Sequence, residues 1–540
     1  MVLRRGEMRI GILTNWSFAG QRFGRAGTGA AGRPEPLGTD YTRAMDAGAF
    51  EQLASVQTSL EQLLGTSVDP LSAGSLRTTM DLAVVTTPIT VDVGLTDRFM
   101  LSIVAPYVKN RNDVTVYANT PPGTANVGLN PGLFFASTRN TNAQVVSQLT
   151  AAATKLGTEL ARCAQSTDPA CSAINADRAG ATALTASATS AAAIIGRLYG
   201  TTTAAGSVFA PLGGSALQAA VYERLTAMAL QFGRFLGAPP AAQSWIDARP
   251  VGSNLLAYND FQTLLTDSTS GIGAVPLETV ERSHLSDISL GGKFLLFDST
   301  KPDTARGGMP RPGTRLAVSA LYRPGTAQLD SPDNFGDVGT GDHQADIELA
   351  AYADAVFTRR LWASVVARYA VQQADELPLR IPARPGDPFP AQYRRQSVQR
   401  NLGDAMSLEI TPRYAPSEVL TIAASYRLWK KGADAYSGTF TVPDLSGATV
   451  NLDASALNVT TDQQEQRAGV SVTYSSVQAW ERRRARWPVE VALVRWQSLT
   501  GTNAVTKFTT TALGVRYYSS LFGAPLRPPR PTTSASPLTR

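Results

Sequence analysis

The fold is decided by the stretch 346–371, which reads DIELAAYADAVFTRRLWASVVARYAV. In its first half, apolar residues such as Ile347 and Leu349 alternate with polar residues such as Glu348. The second half alternates in the same way after the short polar turn 358–360. Because successive side chains of a strand point to opposite faces, this pattern predicts two antiparallel β-strands joined by a tight turn.

The same alternation recurs along the chain and predicts about twelve strands. They are expected near 8–19, 77–93, 98–110, 282–297, 314–326, 343–357, 361–373, 404–415, 419–431, 465–478, 488–499 and 506–520. An even number of antiparallel strands closes a barrel with both chain ends on one side. The sequence therefore predicts an all-β transmembrane up-and-down β-barrel of about twelve strands, with α-helical insertions.

Three features favour a membrane barrel over a soluble β-sandwich. Full charges such as Glu348 and Arg368 occur at mid-strand, as the wet interior of a wide barrel allows. Short connections alternate with long polar ones such as 374–402 and 437–461. Aromatic residues end the apolar faces beside arginines, as in an interfacial girdle. These couples are Tyr322-Arg323, Arg368-Tyr369, Arg413-Tyr414, Tyr426-Arg427, Arg495-Trp496 and Arg516-Tyr517. In the strand 488–499, the apolar face is predicted to hold Ala492, Val494 and Trp496, with Arg495 opposite.

The chain divides into barrel segments and insertions. Residues 1–138 hold the first barrel strands with a short amphipathic helix at 42–65. Residues 139–270 form a helical insert that is expected to lie outside the cell or to plug the lumen. Residues 271–523 complete the barrel, and 524–540 form a disordered Pro-rich tail.

Composition excludes several other classes of protein. The 540 residues have a net charge of +6 and are 43% hydrophobic, and the mean hydropathy is -0.08. The uncharged run between Arg178 and Arg197 is too polar to indicate a helical membrane protein. The basic residues are spread out, so no nucleic-acid partner is expected.

Few residues suit chemistry at a metal or catalytic centre. His284 and His343 are the chain's only histidines. Ser283 stands beside His284, but neighbours on a strand point to opposite faces, and His343 has no evident partner. We therefore expect no enzyme, no metal and no cofactor. The aspartate-rich loop 330–342 lacks EF-hand spacing and is interpreted as a solvated external loop. Cys163 and Cys171 are eight positions apart and are candidates for a disulfide in an oxidising compartment.

The beginning of the sequence, 1–6, runs directly into a strand-like segment without an apolar signal region. A bacterial outer-membrane protein needs a signal peptide. We therefore expect that the signal peptide is missing from this sequence.

Charged residues on the predicted inner face are the best candidates for a functional role. They are expected to set up a field that screens solutes, or alternatively to pair and fill the interior. These lumen-facing candidates are Asp346, Glu348, Arg368, Glu409, Arg413, Arg427 and Arg516.

Several segments together resemble a known family. The start 6–10 leading to 21–24, the hairpin 93–107 (VGLTDRFMLSIVAPY) and the segment 339–342 resemble outer-membrane proteins of the meta-pathway phenol-degradation type. The resemblance covers the barrel and not the helical inserts. It implies a transporter-like protein that passes small aromatic or other hydrophobic compounds.

Three functional hypotheses follow. The first is a channel or transporter for small hydrophobic or aromatic compounds. The second is a surface binding or structural protein in which the barrel anchors the helical insert, and the third is a soluble β-rich periplasmic protein. The expected partners are outer-membrane lipid and lipopolysaccharide, the barrel-assembly machinery and a small hydrophobic solute.

Overall fold

The computed structural model describes residues 2–120, 124–239, 244–269, 271–300, 311–445 and 447–521, so the predicted tail 524–540 lies outside the described residues. Within these ranges, twelve antiparallel strands form one closed sheet. The strands are β1 (Glu7–Ala19), β2 (Ser72–Gly94), β3 (Phe99–Ala118), β4 (Ser289–Asp298), β5 (Gly313–Arg323), β6 (Asp346–Val356), β7 (Leu361–Gln372), β8 (Ala405–Tyr414), β9 (Leu420–Lys431), β10 (Gln463–Ser475), β11 (Val489–Gly501) and β12 (Thr509–Ser520).

The barrel closes where the first and last strands meet. Ile12 of β1 lies opposite Val515 of β12 on one side and opposite Ile89 of β2 on the other. Strand β2 then pairs with β3, so each barrel strand in the described part of the chain pairs with two neighbours. Lipid offers no hydrogen bonds to an exposed strand edge, and closure satisfies the backbone groups. The predicted twelve-stranded up-and-down barrel is confirmed.

One predicted strand, 282–297, is broken in two. Both Val280–Leu285 and β4 pair with β3, at successive heights, and 286–288 lie between them. There the Asp287 carboxylate accepts hydrogen bonds from the backbone N–H groups of Thr326 and Ala327, at 2.8 and 2.9 Å. These bonds hold the break to the neighbouring loop, so the prediction of one continuous strand was wrong at this point.

The two ends of the barrel differ in their connections. Both ends of the strand series lie at one end, the terminal end, where 94–99, 356–361 and 414–420 are tight connections. At the opposite end, the mouth, long segments such as 118–280 and 372–405 join the strands. Short strands also occur in the segments at the mouth: Gln21–Phe23, Pro34–Pro36, Arg43–Asp46, Val127–Leu129, Phe209–Pro211, Asp375–Arg380, Arg395–Asn401, Ala435–Ser437, Thr439–Pro443 and Thr449–Asp453.

The outer face of the barrel is apolar and exposed, which is the arrangement that lipid requires. On β11 and β12, Leu493 and Leu513 face each other across the strands and are 54% and 43% exposed. This pairing places the odd residues of β11 outward, so Arg495 points outward and Trp496 points to the lumen. The predicted face of this strand was therefore wrong, because both of its faces carry apolar residues.

The outer face also marks where the barrel leaves the membrane. Along β3, the exposed side chains change from Leu101, Ile103 and Tyr107 to Arg111 and Asp113. Charged side chains are costly in lipid, so the membrane boundary lies just beyond Tyr107. The upper parts of β2 and β3 therefore project beyond the membrane as a ribbon, which the short strands Arg43–Asp46 and Val280–Leu285 flank.

Helices cover the side of this ribbon that continues the inner wall of the barrel. Leu76, Met80, Val114 and Val116 point to that side and are buried in the helical core. The helices therefore lie over the mouth. The helices are α1 (Gln52–Leu64), α2 (Ala136–Arg162), α3 (Ser172–Ala176), α4 (Arg178–Tyr199), α5 (Ala216–Leu236) and α6 (Tyr258–Thr266), and a short α7 (Val477–Glu481) lies at the terminal end. We call α1 to α6, with the described residues that join α2 to α6 and the flanking segments 45–51 and 271–277, the cap.

The helix α4 is long and apolar enough to cross a membrane. In this structure it is instead the central helix of the cap, with Leu184, Ile195 and Leu198 buried. Its small residues allow close packing against α2.

A disulfide joins Cys163 at the end of α2 to Cys171 before α3, with the Cα atoms 5.4 Å apart. Closing a loop of this length stabilises a fold by about 2–3 kcal/mol. We expect the double variant Cys163→Ser/Cys171→Ser to become sensitive to trypsin between α2 and α4, while its barrel stays folded. Limited proteolysis of the full chain with and without reductant checks this. Unchanged protection of the double variant would contradict it, and reductant should have no further effect on that variant.

Candidate functional site

The lumen wall carries a ladder of alternating charges on β5 to β8. Arg323 lies 3.3 Å from Asp346 and 2.9 Å from Glu348. Arg368 continues the ladder, because its guanidinium lies 3.7 Å from Glu348 and 4.0 Å from Glu409. The interstrand register brings these side chains together, since Arg323 is opposite Asp346. The charges therefore neutralise one another along the wall and keep it wet.

Two further residues extend the charged wall beyond Arg427. Register places Arg427 of β9 between Glu409 and Arg467, and Arg467 lies 2.6 Å from Glu465. Sequence reasoning did not select Arg323, Glu465 or Arg467. Their alternation indicates which face they occupy, but their partners depend on the register between strands.

Two predicted lumen residues do not join this ladder. Arg413 is exposed near the end of β8 that meets the tight turn to β9. Arg516 pairs with Glu490 at 2.5 Å near the terminal end. The predicted lumen residues therefore lie at two levels along the barrel axis, with Arg413 and Arg516 nearer the terminal end than the ladder.

The opposite part of the wall has its own polar contacts. Arg9 and Asp92 form an ion pair at 2.7 Å, and Ser102 donates a hydrogen bond to Asp92 at 2.6 Å. Between this pair and the ladder, the ammonium of Lys293 on β4 lies 3.3 Å from the ring centre of Tyr352 on β6, which is a cation–π contact. The wall is therefore polar on both sides of the lumen.

The connection 324–345 folds back against the inner side of β3 and narrows the mouth. The Asn110 amide donates to the carbonyl oxygen of Gly339 at 2.5 Å, and the Asn112 amide donates to that of Gly336 at 2.9 Å. These bonds fix the loop to the wall instead of leaving it in solvent.

Beside this loop lies a cavity of about 720 Å³, which we call the vestibule. Four connections at the mouth form it. Its volume falls in the range of pockets that take small organic molecules. Its lining includes the apolar and aromatic residues Tyr41, Phe335, Leu379, Leu457 and Val459 and the charged residues Arg25, Asp40, Asp330, Asp337, Arg380 and Asp387.

Phe389 joins the vestibule loops to the cap. Its ring centre lies 5.5 to 5.9 Å from those of Tyr41, Phe50, Phe261 and Phe335. Phe50 and Phe261 belong to the cap, whereas Tyr41 and Phe335 line the vestibule. One aromatic cluster therefore holds both parts in a fixed relation.

Arg380 fixes the same junction with polar contacts. Its side chain is 2% exposed and lies 2.8 Å from Asp333. It also donates hydrogen bonds to the carbonyl oxygens of Ile272, Gly273 and Pro390, at 3.0, 2.6 and 2.8 Å. A single guanidinium thus connects the cap with two connections at the mouth.

Two acids at the vestibule differ in their electrostatic setting. Burial raises the pKa of Asp387, and the nearby Glu51 adds to this effect. Burial acts in the same direction on Asp40, but the ion pairs of Asp40 with Arg22 and Arg25 outweigh it and hold the pKa of Asp40 below its usual value. As the pH falls, Asp387 is therefore protonated before Asp40.

The aspartate-rich loop is packed and ion-paired, so its interpretation as solvated was wrong. Asp333 contacts Arg380 and Arg395, and Asp337, whose side chain is 0% exposed, lies 2.6 Å from Arg282. Among the described residues, no three His, Cys, Asp or Glu side chains converge as metal ligands would. The carboxylates of this loop bind arginines instead.

The two histidines make hydrogen bonds with backbone oxygens. Nδ1 of His284 lies 2.9 Å from the carbonyl oxygen of Leu285, and Nδ1 of His343 lies 2.6 Å from that of Ala327. Among the described residues, the two histidine side chains make no other hydrogen bonds. Neither involves a serine, threonine or cysteine nucleophile.

No known protein family matches the sequence, and no curated protein matches it. Solved structures similar to this chain include an outer-membrane channel from Pseudomonas putida F1 (8% identity, TM-score 0.36, covering 96% of this chain and 97% of that one). The toluene transporter TbuX of Ralstonia pickettii (8%, 0.28, 96% and 90%) and a FadL homologue from Pseudomonas aeruginosa (7%, 0.27, 96% and 90%) are also similar. These values are too low to support an argument about function.

The strand pairing of this chain shows its fold without them: a twelve-stranded transmembrane β-barrel whose mouth is covered by a helical cap.

Proposed function

We propose that this chain is an outer-membrane channel for small hydrophobic or aromatic solutes. The observation that carries the proposal is the vestibule of about 720 Å³ among the mouth connections of a closed barrel. Its aromatic and aliphatic lining suits such solutes, which gain free energy by leaving water. The resemblance of the hairpin 93–107 to the meta-pathway family implies the same solute class.

The bacterial outer membrane is the location that supports this function. Closed barrels with short turns at the terminal end are inserted there with both termini facing the periplasm. The Cys163–Cys171 disulfide fits a chain that passes through an oxidising compartment. Lipopolysaccharide then surrounds the mouth, and the barrel-assembly machinery is the expected folding partner.

A second candidate function is surface binding through the cap. Leu230 on α5 is 72% exposed, and Phe134 and Phe135, which precede α2, are also exposed. Apolar side chains at the surface are typical of contact sites, although single exposed residues are common in any protein. In this case the barrel serves as an anchor, and uptake is absent.

Filling the vestibule separates these functions. We expect Val459→Trp to reduce the uptake of toluene several-fold in Gram-negative cells that lack their major porins, because Val459 lines the vestibule. The matched control is Val470→Trp, since Val470 is 60% exposed on the outer face. Equal uptake by Val459→Trp and the unmodified protein, or uptake no higher than in cells without the protein, would refute the channel.

A further inference from the structure

The guanidinium of Arg427 lacks a partner on the lumen wall. Its Nε–H group is buried and donates to no hydrogen-bond acceptor among the described residues. Among the described residues, the Arg427 guanidinium forms no ion pair with a carboxylate within 4.0 Å. Leaving a buried donor unsatisfied is costly, so this position favours an acceptor supplied from elsewhere.

The acids nearest to Arg427 are already engaged. Glu409, opposite Arg427 on β8, lies 4.0 Å from Arg368. Glu465 lies 2.6 Å from Arg467 and accepts a hydrogen bond from Ser498 at 2.6 Å. Arg427 therefore lies between Arg368 and Arg467, and each of these two arginines already contacts an acid. An anion at this point relieves the repulsion between the arginines.

A cavity of about 250 Å³ opens beside this group. Arg427 and Arg368 line one part of it, and Trp429 and Leu402 supply apolar surface. Trp429 follows Arg427 by two positions on β9, so both side chains lie on the same face. At about 30 Å³ for each water molecule, the cavity has room for roughly eight waters, or for one small ring with a polar group.

We infer that Arg427 binds the carboxylate of a small aromatic acid in the lumen, with the ring against Trp429 and Leu402. This inference rests on the proposed channel function and adds small aromatic acids such as benzoate to its solutes. Guanidinium and carboxylate can form two parallel hydrogen bonds, which gives the site its preference for a carboxylate over a neutral alcohol. The other charges of the ladder remain in their ion pairs, so Arg427 is the position in the lumen where an anion binds.

Binding to the full-length protein tests the inference. Isothermal titration calorimetry in detergent at low ionic strength, with sodium benzoate as the probe, is expected to show saturable binding. Arg427→Gln should weaken benzoate binding about tenfold or more, because it removes the charge-assisted pair. Benzyl alcohol should bind weakly to both proteins. The matched control Arg495→Gln, on the outer face of β11, should bind benzoate as the unmodified protein does.

Two results would overturn the carboxylate site. One is equal benzoate binding by Arg427→Gln and the unmodified protein, with both showing the gel migration of a folded barrel. The other is an equal loss in Arg495→Gln. If toluene uptake persists in either case, the channel stands and only the carboxylate site fails. If benzoate binds at Arg427 but toluene uptake is absent, the site stands and the proposed solute transport fails.

Discussion

Replacing Arg380 by methionine is expected to destabilise the packing between the cap and the vestibule by about 3–5 kcal/mol, the usual cost of removing one partner of a buried ion pair. The change removes the buried cation of Asp333, which keeps only its contact with the more exposed Arg395, and it removes one donor from each of three backbone carbonyl oxygens. Hydrogen–deuterium exchange of the full chain should show faster exchange in 271–277, 329–337 and 379–394. The strands of the barrel should exchange as before.

Arg395→Met is the matched control for this prediction. Arg395 also contacts Asp333, but its side chain is 40% exposed. Exposed ion pairs contribute at most about 1 kcal/mol, so the exchange rates should change little. Equal protection of the three segments in Arg380→Met and the unmodified protein would show that Arg380 does not hold the mouth together.

Val318→Arg is expected to destabilise the barrel by about 2–4 kcal/mol, because an arginine at the middle of the lipid-facing wall is poorly solvated. Val318 lies at the centre of β5 and is 38% exposed on the outer face. The free energy of unfolding by urea, measured in phospholipid vesicles, checks this value.

The neighbouring Ser319→Arg provides the control, because Ser319 faces the lumen and contacts the Tyr352 hydroxyl at 3.3 Å. The added charge then lies in the wet interior, and the expected loss is below about 1 kcal/mol. Similar losses in both variants would contradict the assignment of lipid and lumen faces.

Alternation predicted the strands best where one face carries full charges. In β6, the charged Glu348 and Asp354 share one face of the strand, so the pattern predicts that this face is the inner one. The structure confirms this. In β11, Trp496 and Leu493 lie on opposite faces, and both are apolar. The pairing of Leu493 with Leu513 decides that case, and strand partners are not encoded in the local pattern.

The candidate site was predictable only in part. The alternation of side chains within each strand predicted that Arg368 and Arg427 lie on the inner face. The contacts of Arg368 with Glu348 and Glu409 depend on interstrand register, which the long connections at the mouth leave open. The vestibule and the Arg380 contacts come from irregular segments far apart in sequence, where periodicity gives no signal.

The most direct test of the account is single-channel recording in planar bilayers with and without α2 to α5, the larger part of the cap. The Asn119 amide donates to the carbonyl oxygen of Leu256 at 2.9 Å, so a short Gly-Ser linker can replace 121–255. We expect small, discrete conductance steps from the full chain and several-fold larger steps after the deletion, because the cap lies over the mouth. Absence of current from both proteins, when both migrate on gels as folded barrels, would contradict the claim that this barrel is a channel.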